Sequence, residues 1–65
     1  MESSRLIRML LDNDWELVRI TGSHHQYKHR GKGRCVTVPH PKKELSIEIV
    51  RAVLKNAGLL NRLYS

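Results

Sequence analysis

Residues 15–38, WELVRITGSHHQYKHRGKGRCVTV, decide the fold. Within this stretch, 15–20 and 34–38 are rich in the β-branched and aromatic residues that strands prefer, and 24–29 shows no helical period. Glycine-containing turn signals separate the three runs. The stretch therefore predicts three consecutive strands joined by hairpins, and the third strand is expected to end at Pro39 because proline cannot donate to a ladder.

Alternation along a strand predicts which side chains share a face of the sheet. In the first strand, we expect Trp15, Leu17 and Arg19 on one face and Glu16, Val18 and Ile20 on the other. In the second strand, the expected faces are His24, Gln26 and Lys28 against His25, Tyr27 and His29. Trp15 follows directly on a segment that needs an apolar partner, so we expect it in the core.

An amphipathic helix is predicted before the strands. Apolar side chains recur at i, i+3 and i+4 spacing from Leu6 to Leu11, and either Ser3 or Ser4 can serve as the N-cap. Residues 12–14 are Asp, Asn and Asp, which compete with the helix for backbone hydrogen bonds. The helix should therefore be about ten residues long and end there.

A second amphipathic helix is predicted after the strands. Ser46 is the expected N-cap and Gly58 the expected C-cap. One side should be a buried stripe made of Ile47, Ile49, Val50, Val53, Leu54 and Ala57. Residues 59–65 are expected to form a short, partly mobile tail.

The predicted order of elements is α-β-β-β-α. This is an α+β fold in which two helices cover one face of a three-stranded antiparallel sheet and leave the other face open. Double-stranded RNA-binding domains share this order, although the order alone is a fold-level analogy. With 65 residues, the chain has room for a single domain, 1–65.

The charge distribution favours a polyanionic partner. Twelve Lys and Arg against six Asp and Glu give a formal net charge of +6. From Leu17 to Lys43 there is no acid, although the stretch holds all four histidines and many of the basic residues. A surface that serves only solubility usually mixes both signs. The segregation therefore points to nucleic acid.

The cysteine count and the hydropathy pattern favour a location in a reducing cellular compartment and away from membranes. Cys35 is the only cysteine, which excludes an intrachain disulfide and fits a reducing environment. No apolar run approaches the roughly 18 residues of a membrane helix. We expect a cytoplasmic protein that does not associate with a membrane.

The segment Gly22-Ser23-His24-His25 is the strongest local candidate for chemistry. RNA can be cleaved by its own 2′-hydroxyl if a base takes the proton, an acid protonates the leaving oxygen and positive charge binds the phosphate. Free imidazole titrates near pH 6.5, so a histidine can serve as that base or acid. Glycine permits close approach of the backbone, and Ser23 can donate a hydrogen bond. The alternative is that the histidine only adds charge or binds a phosphate.

Metal binding is disfavoured by strand geometry. His24 and His25 would point to opposite faces, while His25 and His29 would stand roughly 13 Å apart on one face. That spacing is too wide for one ion, and Cys35 has no acid near it in sequence. We therefore expect neither a metal nor another cofactor.

Five segments occur in the order typical of one family: Trp15-Glu16-Leu17-Val18-Arg19, Gly22-Ser23-His24-His25, Val36-Thr37-Val38-Pro39, Lys43-Glu44-Leu45 and Ala57-Gly58-Leu59. In this respect the sequence resembles HicA-type toxins of bacterial and archaeal toxin–antitoxin pairs. The similarity extends from about Leu6 to Leu60. The ordered set is far more specific than Gly-Ser-His alone.

The resemblance implies a double-stranded RNA-binding-like fold and a metal-independent ribonuclease, an mRNA interferase that cuts messenger RNA. It implies that His24, in the Gly-Ser-His motif, is catalytic, and that a HicB-type antitoxin protein blocks the active site. His25 receives a supporting role at most. The acid or base that would act with His24 stays unassigned, and nothing transfers to His40.

The residues expected to bind RNA are those of the motif and of the basic run after it: Gly22, Ser23, His25, Lys28, Arg30, Lys32 and Arg34. Tyr27 could pack in the core or stack on a base. Three functional classes remain open, namely a toxin-type endoribonuclease, a non-catalytic RNA-binding module and a small DNA-binding partner of a regulator.

Overall fold

A computed structural model describes residues 1–63 and confirms the predicted fold class. The elements are α1 (Ser3–Leu11), β1 (Trp15–Thr21), β2 (His24–His29), β3 (Cys35–Pro39) and α2 (Ile47–Ala57), followed by a short 3₁₀ helix (Leu60–Leu63). The strands form one antiparallel sheet in the order β1-β2-β3. Sequential hairpins of this kind need no crossover, so the order along the chain is also the order in the sheet.

The core lies between one face of the sheet and the two helices. Its fully or nearly buried members are Leu6, Leu10, Trp15, Tyr27, Val36, Val38, Leu45, Val50, Val53, Leu54, Ala57 and Leu59. Leu60 packs against this cluster, so the segment predicted as a tail begins in contact with the core. Tyr64 and Ser65 lie outside the described residues.

The buried stripe of α2 is narrower than predicted. Val50, Val53, Leu54 and Ala57 are buried, whereas Ile47 is 55% and Ile49 38% exposed. Ile49 lies roughly 40° of rotation beyond Val53, at the margin of the stripe. Ile47 lies in the first turn, ahead of the residues that pack into the core. The assignment of both isoleucines to the core was wrong.

A β-bulge at Val18 changes the faces of β1. Leu17 pairs with Tyr27, but Arg19 pairs with Gln26 and Ile20 with His25. Because an extra residue shifts the alternation by one, Arg19 lies on the open face and Ile20 on the helix side. The predicted grouping of Arg19 with Trp15 and Leu17 was therefore wrong beyond Leu17.

The two helices begin differently. At α2 the Ser46 hydroxyl accepts a hydrogen bond from the Ile49 amide at 3.3 Å, and Gly58 ends the helix with φ of 74°, as predicted. At α1 the N-cap is Glu2, and no side chain caps the helix. The predicted serine cap was wrong because Ser3 is buried inside the first turn and bonded elsewhere. Neither helix in residues 1–63 is long and apolar enough to cross a membrane.

Candidate active site

His24 is presented by a tight turn between β1 and β2. Thr21 pairs with His24, so Gly22 and Ser23 form a two-residue hairpin turn. Gly22 has φ of +59°, and an added Cβ would meet no atom within 4 Å. The requirement for glycine is therefore conformational, as at the first position of a type II′ turn. The hairpin fixes where the first side chain of β2 points.

The imidazole of His24 is exposed on the open face of the sheet. His24 pairs with Pro39 of β3, and both side chains border a cleft of about 430 Å³. Its other walls come from the hairpin turn, the loop before α2 and the first turns of that helix: Ser23, Lys42, Glu44, Leu45, Ser46 and Ile49. A histidine in this position can exchange protons with a ligand that enters from solvent.

His25 faces the other side of the sheet, as strand alternation predicted. Its ring packs edge-to-face on that of His40, with centroids 4.9 Å apart and an interplanar angle of 79°. The Nδ1 atom of His40 lies 2.6 Å from the hydroxyl of Ser3. His25 is thus engaged by the protein itself and does not share the surface of His24, so this geometry gives no support to an RNA contact by His25.

The predicted basic residues do not converge on His24. Lys28 lies on the same open face, but four residues along an extended strand place it roughly 13 Å away. Arg30, Lys32 and Arg34 lie in the turn after β2, at the opposite end of the sheet. The basic run that is contiguous in sequence is therefore spread over the whole length of β2.

Two of these basic groups, Arg30 and Arg34, have partners within the protein. The Nε of Arg30 is 2.7 Å from a carboxylate oxygen of Glu16, and Glu16 stands opposite Lys28 on the open face. The Nη1 of Arg34 donates to the Asn56 carbonyl at 3.5 Å, beside the end of α2. Positive charge at this end of the sheet is consequently partly compensated.

The fold brings two further cations, Lys42 and Arg19, near His24, and neither was among the residues predicted to bind RNA. Lys42 borders the cleft of His24, and the bulge places Arg19 on the open face beside Gln26. Lys42 is brought there by Ser3, whose amide donates to the Lys42 carbonyl at 3.0 Å and whose hydroxyl accepts from the Lys42 amide at 2.9 Å. No local pattern signals a contact between residues 39 positions apart.

The aromatic side chains belong to the core. Tyr27 is 2% exposed, which settles in favour of packing the choice left open by the sequence. Burial raises the pKa of the Tyr27 hydroxyl above its ordinary value. Trp15 is 1% exposed, as predicted, and its ring meets that of His29 edge-to-face at 5.2 Å. Neither ring is available to stack on a base.

Potential metal ligands are dispersed. In the part of the chain that the structure describes, residues 1–63, no three His, Cys, Asp or Glu side chains lie close enough to hold an ion. Cys35 is exposed on the open face, opposite Lys28. Metal-independence of any activity stays a prediction.

Comparison with known proteins supports the resemblance found in the sequence. No curated protein matches the chain. A family model described as the HicA toxin of bacterial toxin–antitoxin systems matches residues 3–59 of the 65. The match runs from the first residue of α1 to the buried Leu59 after α2, and so includes every strand and both helices. With its fold and the Gly-Ser-His hairpin inside that range, the chain belongs to the HicA family of toxins.

Proposed function

We propose that this protein is a metal-independent endoribonuclease that cleaves messenger RNA, with His24 as the catalytic residue. The observation that carries the proposal is the placement of His24: an exposed imidazole, held by a tight hairpin, on the rim of a cleft in a chain of the HicA toxin family. Its neighbour His25 is turned away and packed on His40.

The proposed reaction is attack of the RNA on itself. The imidazole of His24 removes the proton of a 2′-hydroxyl, and the 2′-oxygen bonds to the adjacent phosphorus. The bond from phosphorus to the 5′-oxygen then breaks, and that oxygen takes up a proton. The products are a 2′,3′-cyclic phosphate and a 5′-hydroxyl end. One well-placed acid or base contributes about 10²–10⁴-fold to such a reaction.

The open face of the sheet is the proposed path of the RNA. His24, Gln26 and Lys28 form a row along β2, and Arg19 stands beside Gln26. These side chains are exposed or half-buried and offer cations and hydrogen-bond donors to a phosphate chain. Binding on such a surface is dominated by phosphate contacts, so we expect affinity to fall as salt rises.

Family membership places the protein in a toxin–antitoxin pair. We propose that the antitoxin is a HicB-type protein that covers the His24 cleft. With a toxin net charge of +6, an acidic antitoxin surface would be complementary. Covering the open face would block RNA and the catalytic histidine together.

The test is incubation of the purified protein with a structured messenger RNA in excess chelator. Wild type should cut the RNA and leave 5′-hydroxyl ends, and His24→Ala should bind RNA but not cut it. If both proteins bind and neither cuts, the non-catalytic RNA-binding module is the better description. If cleavage by wild type requires a divalent metal, the proposed chemistry is wrong.

A further inference from the structure

We infer that Lys42 is the residue that binds the scissile phosphate in the His24 cleft. The inference rests on the proposed function, which it deepens by naming the group that stabilises charge on the phosphate. The ligand it would take is a phosphodiester of RNA, bound through a non-bridging oxygen. The sequence alone would favour the adjacent Lys43, which belongs to the Lys43-Glu44-Leu45 segment of the family pattern, whereas the structure places Lys42 in the cleft.

The first argument is position. Of the residues that line the cleft within the described range 1–63, Lys42 is the only lysine or arginine. Lys28 is roughly 13 Å further along the open face, and the basic turn lies beyond it. Arg19 is nearer on the open face, beside Gln26, but it does not line the cleft. A phosphate bound in the cleft beside the His24 imidazole would therefore share that cleft with the ammonium of Lys42.

The second argument is that the backbone of Lys42 is fixed. Ser3 is 1% exposed and holds the carbonyl and the amide of Lys42 through the two hydrogen bonds described above. The Ser3 hydroxyl also lies 3.2 Å from the Lys42 carbonyl. The amide of His40, two residues before Lys42, donates to the Ser23 carbonyl at 2.8 Å, which ties the same loop to the hairpin of His24. The exposed Lys42 therefore lies on a loop that is bonded both to α1 and to the hairpin of His24.

The third argument concerns the one acid in the cleft. Glu44 would repel a phosphate, but its carboxylate is ion-paired with the N-terminal ammonium of Met1. The ammonium of Met1 has no role in the proposed reaction, and its positive charge lies beside the carboxylate. The ion pair offsets part of the negative charge of Glu44, and the exposed ammonium of Lys42 is the cation that the cleft presents to an anionic ligand.

The chemistry needs such a group. Attack of the 2′-oxygen builds negative charge on the non-bridging oxygens of the phosphorus, and a fixed cation stabilises that charge more than it stabilises the ground state. Removing one donor of this kind from an enzyme costs about 10²–10³-fold in rate. Because solvent screens the charge at an exposed site, we expect a smaller effect than that range, about 10–100-fold.

The experiment compares Lys42→Met with Lys43→Met in single-turnover cleavage at saturating protein. Both variants lose one positive charge, so any general electrostatic effect on RNA binding is matched. The bonds that hold the loop use only backbone atoms of Lys42, so Lys42→Met should fold and melt like wild type. We expect Lys42→Met to cleave about 10–100-fold more slowly, Lys43→Met to stay within about threefold of wild type, and Lys42→Arg to recover most of the rate.

The outcomes separate the two claims. One possible result is that the wild type cleaves RNA, that His24→Ala does not, and that the two lysine variants cleave at equal rates. Lys42 then has no special role, so the inference fails while the proposed function stands. The inference would also be overturned if both variants lost RNA affinity equally and neither lost cleavage rate at saturating protein. If wild type does not cleave RNA at all, the proposed function fails and the inference with it.

Discussion

Replacing Ser3 by alanine should destabilise the protein far more than replacing Ser4. Ser3 is buried in the first turn of α1, and its hydroxyl accepts from the Lys42 amide, reaches the Lys42 carbonyl and contacts His40 Nδ1. Ser4 is exposed, and its hydroxyl reaches only a carboxylate oxygen of Glu2 at 3.3 Å. The two variants make the same chemical change one residue apart.

The magnitude follows from the lost bonds. Each intramolecular hydrogen bond contributes about 0.5–1.5 kcal/mol net, and a part-buried amide left without a partner costs about 1–3 kcal/mol. Alanine has a higher helix propensity than serine, which returns about 0.5 kcal/mol. The free energy of unfolding should therefore fall by roughly 2 kcal/mol in Ser3→Ala, which lowers Tm by about 8–16 °C in a domain of this size. Ser4→Ala should stay within about 0.5 kcal/mol of wild type.

The assay is urea and thermal unfolding followed by fluorescence of Trp15, the only tryptophan, which is 1% exposed in the fold. The urea dependence of the free energy should be unchanged, because both variants unfold the same surface. A Ser3→Ala variant as stable as Ser4→Ala would refute the reasoning, since the bonds from Ser3 to the loop would then contribute nothing.

Three further predictions concern the turn, the core and the open face. Gly22→Ala should lower the free energy of unfolding by about 1–2 kcal/mol, seen in urea melts, because φ is +59° there; full stability would contradict the turn geometry. The pKa of Tyr27 is raised by burial, so stability is full below its ordinary value of 10.0 and is lost as pH rises above it. Between pH 9 and pH 11 the free energy of unfolding should thus fall less in Tyr27→Phe than in wild type. An equal fall in both proteins would contradict this prediction. Lys28→Met should reduce the salt dependence of RNA affinity by about 0.7 in logarithmic slope, whereas an unchanged slope would remove Lys28 from the RNA path.

The parts of the fold that were predictable are those determined locally. Ser46 and Gly58 bracket α2 because caps depend on a few neighbouring residues. The three strands followed from β-rich runs and glycine turns. The bulge at Val18 was not predictable, because it is defined by how β1 pairs with β2, and no residue preference in the sequence of β1 signals it. It moved Arg19 and Ile20 to faces opposite to those expected.

The candidate site was predictable only around its motif. The opposite orientation of His24 and His25 was predicted correctly, because alternation in a strand is a local property. Lys28, Arg30, Lys32 and Arg34 were predicted to bind RNA together with the motif. How far they lie from His24 was not evident from the sequence, because the six residues of an extended strand such as β2 span roughly 17 Å. Lys42 was not assigned because its placement depends on Ser3, whose contact closes through tertiary structure.

The most direct test of the central claim compares His24→Ala with His25→Ala in RNA cleavage with excess chelator, with RNA affinity measured in parallel. The two histidines are adjacent in sequence but lie on opposite faces of the sheet. We predict that His24→Ala loses about 10²–10⁴-fold in cleavage rate at nearly unchanged affinity, while His25→Ala keeps the rate of the wild type once it is folded. Equal cleavage by wild type and His24→Ala, or a loss confined to His25→Ala, would contradict the assignment of the catalytic residue.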